Sequence, residues 1–96
     1  MITSKQRSYL RSLSNNITPI FQIGKGGIDD NMLKAIESAL EARELIKISI
    51  LNNSDYGARE ASDEICKKLK CDGVQAIGKK IVLYKKSSKK PVIELP

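Results

Sequence analysis

The stretch PIFQIGKGGIDDN, residues 19–31, decides how the rest of this chain is read. Ile20, Phe21 and Ile23 supply the bulk of a strand over residues 18–24, opened by Pro19. Gly24, Lys25, Gly26 and Gly27 follow, and glycines let a backbone come close to a bulky object. Asp29 or Asp30 can then cap a helix. Ile28, Met32, Leu33, Ile36, Ala39 and Leu40 recur at helical spacing through about residue 43. A strand, a glycine loop with a lysine in it and a helix in succession point to an α/β domain and a negatively charged ligand. A tight strand-to-helix turn is the plainer reading of the same residues.

Working outward, TSKQRSYLRSL at the start reads as a helix. Thr3 and Gln6 have the spacing of a capping box, Leu10 and Leu13 keep one face apolar, and Asn15-Asn16 ends it. LIKISIL, 45–51, alternates, with Ile46, Ile48 and Ile50 on one face and Lys47 and Ser49 on the other. After a loop over 52–55, Ala58, Ala61, Ile65 and Leu69 mark a third helix over 56–70, broken by Cys71-Asp72-Gly73. Two strands follow at about 74–77 and 80–85. Gly78-Lys79 between them suits a type II′ hairpin turn. The predicted order is α-β-α-β-α-β-β, a four-stranded mixed sheet with three helices. With all three helices on one face this is an α+β two-layer sandwich with a bare second face. Residues 1–88 form one domain. Residues 89–96 read as a short polar tail, in which Val92, Ile93 and Leu95 could dock.

Charge narrows the class of partner. Ninety-six residues with a net charge of +6 fit one small basic domain. Residues 1–25 hold Lys5, Arg7, Arg11 and Lys25 and no acid, and 79–90 hold Lys79, Lys80, Lys85, Lys86, Lys89 and Lys90 and no acid. The stretch 26–72 carries seven basic and ten acidic residues, so the positive excess lies in two end segments. Brought together, they would form one basic surface for a polyanion. A solubilising lysine surface is the alternative. No apolar run has membrane-spanning length, and the first ten residues lack the apolar core of a signal peptide, so the expectation is a cytoplasmic protein without a membrane partner.

Several chemistries are excluded by inventory. The loop is not a P-loop, because Gly26 follows Gly24-Lys25 where that motif needs Ser or Thr. It is not a dinucleotide fingerprint either, since Asp29 falls where the third glycine belongs. Two carboxylates at a helix N-terminus would also repel a pyrophosphate. With no histidine, Cys66 and Cys71 lack further zinc ligands, and the expectation is one buried and one incidental cysteine, no metal and no functional disulfide. The commonest general base is absent and no acidic pair stands in a catalytic setting, so neither an enzyme nor a small-molecule substrate is expected. Four aromatics, Tyr9, Phe21, Tyr56 and Tyr84, are too few for a base-stacking platform. Affinity for nucleic acid would therefore come from phosphates and shape.

What the loop does match is G-x-x-G, a pattern that clamps the nucleic-acid backbone in KH domains. KQRSYLRSL, PIFQIGKGGI, ALEARELIKISIL and VQAIGKKIVLYKK occur in that order along the chain. Together they resemble the CRM-domain family of RNA-binding proteins in its free-standing bacterial YhbY-like form, over about residues 2–88. The resemblance implies a fold similar to the C-terminal domain of bacterial translation initiation factor three, an RNA-touching loop at Gly24–Gly27, and association with precursors of the large ribosomal subunit. Family members usually carry a bulkier polar residue where this chain has Gly26, which implies a more flexible loop here. The expected function is non-catalytic binding of ribosomal RNA, by a monomer without cofactors. Gly24, Lys25, Gly26 and Gly27 would lead, supported by Arg7, Arg11, Lys79, Lys80, Lys85 and Lys86. A module docking on a ribosomal protein or assembly factor is the alternative.

Overall fold

The computed structural model describes residues 2–96. The elements follow in the expected order: α1 (Ser4–Ser14), β1 (Phe21–Ile23), α2 (Asp30–Arg43), β2 (Leu45–Ile50), α3 (Ala58–Leu69), β3 (Asp72–Ile77) and β4 (Lys80–Tyr84). The strands form one mixed sheet in the order β1-β2-β4-β3, with β1 parallel to β2 and the other pairs antiparallel. Among the described residues, no helix is long and apolar enough to cross a membrane.

Local chemistry explains the boundaries. Thr3 Oγ1 accepts the Gln6 N–H at 3.1 Å and Gln6 Oε1 accepts the Thr3 N–H at 2.9 Å, closing the capping box of α1. Asp29 is the residue that caps α2, its Oδ1 accepting the Met32 N–H at 2.8 Å. The start of α3 is later than the sequence suggests. Gly57 is its N-cap, and Glu60 reaches back to the Gly57 N–H at 3.1 Å. Its end is set by Lys70 in the left-handed conformation (φ 56°, ψ 46°), not by the following CDG, which runs directly into β3. In the β3–β4 turn Gly78 has φ +56° while Lys79 does not go positive, the distribution a type II′ turn requires.

The layering differs from the expected two-layer sandwich with one bare face. Ile46, Ile48, Ile81 and Leu83 pack with Ile36 and Leu40 of α2 and Ile65 of α3. Their neighbours along the strands, Leu45, Val82 and Tyr84, point the opposite way and pack with Ile2, Leu10 and Leu13. Thus α2 and α3 cover one face, whereas α1 lies on the other. The reason is visible in β4, where Ile81, Val82, Leu83 and Tyr84 are all buried. A strand apolar on both sides needs cover on both sides.

The C-terminal segment completes that second layer. Ile93 and Leu95 pack beside Leu10 and Tyr84. Two glutamates at the end of α2 hold the segment, which is therefore docked rather than loose. Glu44, fully buried, accepts the N–H groups of Ser87 (2.8 Å), Val92 (2.7 Å) and Ile93 (2.7 Å). Glu41 accepts the N–H groups of Ser88 and Lys89 and both serine hydroxyls. Burial pushes the Glu44 carboxyl up, but the three N–H donors and the charge of Lys86 outweigh it and leave the group below the ordinary carboxylate value. The Ser88 hydroxyl and N–H lead in bringing Glu41 down to about 2.

Candidate nucleic-acid interface

The glycine loop is a four-residue turn in which the Gly24 carbonyl accepts the Gly27 N–H at 3.0 Å. Its three glycines have different reasons to be glycine. A Cβ on Gly24 would lie 3.3 Å from Leu51 Cδ1. Gly27 has φ +71°, and a Cβ there would meet Tyr56 Cε2 at 3.3 Å. Gly26 faces open space. Lys25 and Gly26 form the exposed tip, and among the described residues their N–H groups meet no protein acceptor. Tyr56 supports the loop from below, its hydroxyl donating to the Glu64 carboxylate at 3.0 Å. That hydrogen bond, followed by burial, pushes the Tyr56 phenol above its ordinary value, so the ring stays neutral near pH 7.

Strand pairing decides what else stands at this end of the sheet. The Leu51 N–H reaches the Ile23 carbonyl at 2.8 Å, and the Ile50 N–H reaches the Lys79 carbonyl at 2.7 Å. The glycine loop, the 52–55 loop and the Gly78-Lys79 turn are therefore side by side. Lys25, Lys79 and Lys80 are exposed there, and none forms an ion pair among the described residues. Register adds a lysine that the charge count along the chain missed. Gln22 pairs with Ser49 and Ser49 with Lys80, so these and Lys47 share the face that α1 covers elsewhere. The alternation of LIKISIL already turned Lys47 away from the helices packed on Ile46 and Ile48. Counting it within an acidic stretch hid it.

The remaining candidates are placed elsewhere. Lys85 lies at the far end of β4, about 17 Å from Lys80 along a five-residue strand. Its Nζ donates to the Leu69 carbonyl at 3.1 Å, capping the last turn of α3. Lys86 is beside Glu44 at that same end. Arg7 is half-buried and donates from Nε to the Gly73 carbonyl at 3.2 Å, at the start of β3. Arg11 is exposed on α1, with Nη2 donating to Ser8 Oγ. The two acid-free segments thus do not merge into one patch. Lys25, Lys79 and Lys80 come together, and Arg7, Lys85 and Lys86 stand away from them. Among the described residues no group of three or more His, Cys, Asp or Glu side chains could hold a metal.

Residues 2–85 match the CRS1 / YhbY (CRM) domain. The chain belongs to the CRM-domain family. It is 50% identical over 96 residues, the whole of both chains, to the Bacillus subtilis protein named "Probable RNA-binding protein YqeI". It is 30% identical over 95 residues to a Haemophilus influenzae protein named "RNA-binding protein", covering 99% of this chain and 95% of that one. Among solved structures it is similar to a Staphylococcus aureus protein described as a candidate RNA binder, with 48% identity, full coverage of both chains and a TM-score of 0.74. The element order and mixed sheet expected from the sequence are those of this CRM domain.

Proposed function

We propose that this CRM-domain chain is a non-catalytic RNA-binding protein that engages ribosomal RNA during assembly of the large ribosomal subunit. It acts as a cytoplasmic monomer without cofactors. The observation that carries the reading is the company kept by the loop tip. Lys25 and Gly26 present N–H groups, and Lys25 an ammonium, with no protein partner among the described residues, and Lys79 and Lys80 stand at the same end of the sheet. Phosphate oxygens need that combination of donors and charge. Asp29 and Asp30, exposed at the start of α2, keep the anion off the helix N-terminus and at the tip. The names of the relatives, which describe RNA binding, support the same class of partner.

Lys47 extends the surface along the sheet face, and Arg11, exposed on α1, is a separate candidate contact. Arg7 and Lys85 already hold backbone carbonyls, so they contribute less to RNA than to the fold. Recognition rests on backbone phosphates and RNA shape, since Tyr84 is buried, Tyr56 is committed beneath the loop and Phe21 packs against the core, leaving Tyr9 as the single exposed aromatic among the described residues, too few for a stacking platform. Crosslinking in cells, followed by sequencing of the bound RNA, tests the proposal. The expected result is enrichment of large-subunit ribosomal RNA and its precursors. Recovery of a ribosomal protein or assembly factor, with no RNA above an untagged control, would replace it with the docking-module reading.

A further inference from the structure

The sequence suggests one buried and one incidental cysteine with no functional disulfide, but in the fold the two thiols are in contact. Lys70 turns left-handed at the end of α3, and the Cys71 N–H then reaches back to the Cys66 carbonyl at 3.3 Å. This six-to-one bond is the mark of a Schellman motif, which folds the residue after the turn onto the helix four to five residues earlier. An apolar contact ordinarily fills that place. Here two thiols fill it, with Sγ atoms 3.6 Å apart. Cys71 is buried, while Cys66 is only partly covered. Both border a cleft of about 550 Å³ between α3 and β3, lined also by Arg7, Arg59, Asp63 and Asp72. Gly73 lets the strand pass this close, since a Cβ there would lie 3.0 Å from Ser62 Oγ and 3.8 Å from Cys66 Sγ.

From this geometry we infer that Cys66 and Cys71 form a peroxide-reactive dithiol site, in which Cys66 is the attacking sulfur and Cys71 the resolving one. The assignment of roles follows from access: Cys66 is partly exposed and open to peroxide, while Cys71 is buried beside it and hydrogen-bonded to it at 3.6 Å. That bond, with help from the Ser62 hydroxyl and against burial and the charges of Asp72 and Asp63, brings the Cys66 thiol below its ordinary value. The same bond and burial push the Cys71 thiol up. Cys66 therefore ionises first, and the thiolate is the nucleophile. It attacks one oxygen of hydrogen peroxide, the O–O bond breaks, and hydroxide leaves and takes a proton from solvent. Cys66 is then a sulfenic acid. Cys71 sulfur next attacks Cys66 sulfur, the S–OH bond breaks, and the thiol proton leaves with hydroxide as water. The net change is two thiols and one peroxide to one disulfide and two waters. To form the bond the sulfurs close from 3.6 Å to about 2 Å.

The test compares the intact folded chain with the same chain unfolded in urea, both treated with hydrogen peroxide at neutral pH. Intact mass and the count of thiols open to maleimide after quenching are followed over time. The folded monomer should lose two hydrogens and both thiols, roughly tenfold or more faster than the unfolded chain, and dithiothreitol should restore both. Cys71→Ser should stop at a sulfenic acid on Cys66 that dimedone captures, and Cys66→Ser should show no captured product on Cys71. Equal rates in the folded and unfolded chains would overturn the inference. So would covalent dimers, or sulfinic acid on either residue of the wild-type chain, in place of an internal disulfide.

Discussion

Glu44 should be the most stability-critical polar side chain in the domain, and its two contributions can be separated by choice of replacement. Its carboxylate is fully buried and accepts three backbone N–H groups, while its own backbone sits at φ 65°, ψ −37°, a conformation that L-residues rarely adopt. Glu44→Ala keeps the strained backbone and strands three donors. Each stranded donor costs about 1–3 kcal/mol if it stays buried. Release of residues 87–96 to water limits that loss, at the cost of the half-buried Ile93 and Leu95, about 1 kcal/mol each. The expected destabilisation is about 2–4 kcal/mol. Glu44→Gly removes the same acceptors but relieves the positive φ, and should be less damaging than Ala by about 1 kcal/mol. Urea unfolding followed by circular dichroism measures both variants, with hydrogen exchange reading the Val92 and Ile93 amides. If Glu44→Ala unfolds within about 0.5 kcal/mol of wild type and those amides keep their protection, the carboxylate latch does not hold the segment. If Gly is no better than Ala, the backbone at this position carries no strain.

The remaining expectations concern the latch, the loop and the first helix. Both Glu41 and Glu44 titrate below the ordinary value of 4.5 in the folded chain, so the stability they supply is complete above about pH 4.5 and is lost as pH falls toward 2. Urea midpoints measured between pH 6 and 2 should fall across that window, and more gently in a Glu41→Gln, Glu44→Gln double variant. Gly27→Ala, at φ +71° and against Tyr56, should cost about 1–2 kcal/mol, whereas Gly26→Ala, which faces open space, should stay within about 0.5 kcal/mol; thermal melts decide both. Thr3→Ala removes the acceptor for the Gln6 N–H and should cost about 1 kcal/mol, read in the same way.

Those parts of the fold governed by short-range rules were legible in the sequence. The Thr3–Gln6 spacing, the choice of Asp29 or Asp30 as a cap, the alternation of LIKISIL and the glycine of the hairpin turn are local signals, and each element they mark is present. The face on which α1 lies was misread, because its own pattern shows only that one side is apolar. The missing clue was in β4, where four successive bulky residues ask for cover on both sides. The docked C-terminal segment was legible only in its apolar residues, of which Ile93 and Leu95 pack and Val92 stays exposed. Glu41 and Glu44 sit in a charged run that resembles a solvated helix end, and only the tertiary fold brings backbone N–H groups to them. At the candidate site, the loop was legible and its lysine neighbours only in part. Counting charge along the chain groups Lys80 with Lys85, but a strand places its two ends at opposite edges of the sheet.

The most direct measurement of the central proposal is the affinity of Lys25→Ala for precursor large-subunit ribosomal RNA, taken as a function of salt beside wild type. Lys25 is exposed and forms no ion pair among the described residues, so its removal should leave the melting temperature nearly unchanged. Loss of one phosphate contact should weaken binding by about 1 kcal/mol and make the slope of log K against log salt shallower by roughly 0.7–0.9. Wild-type affinity together with a wild-type slope would contradict the account. The glycine loop would then be a strand-to-helix connector, and RNA would have to be held on another face of the domain.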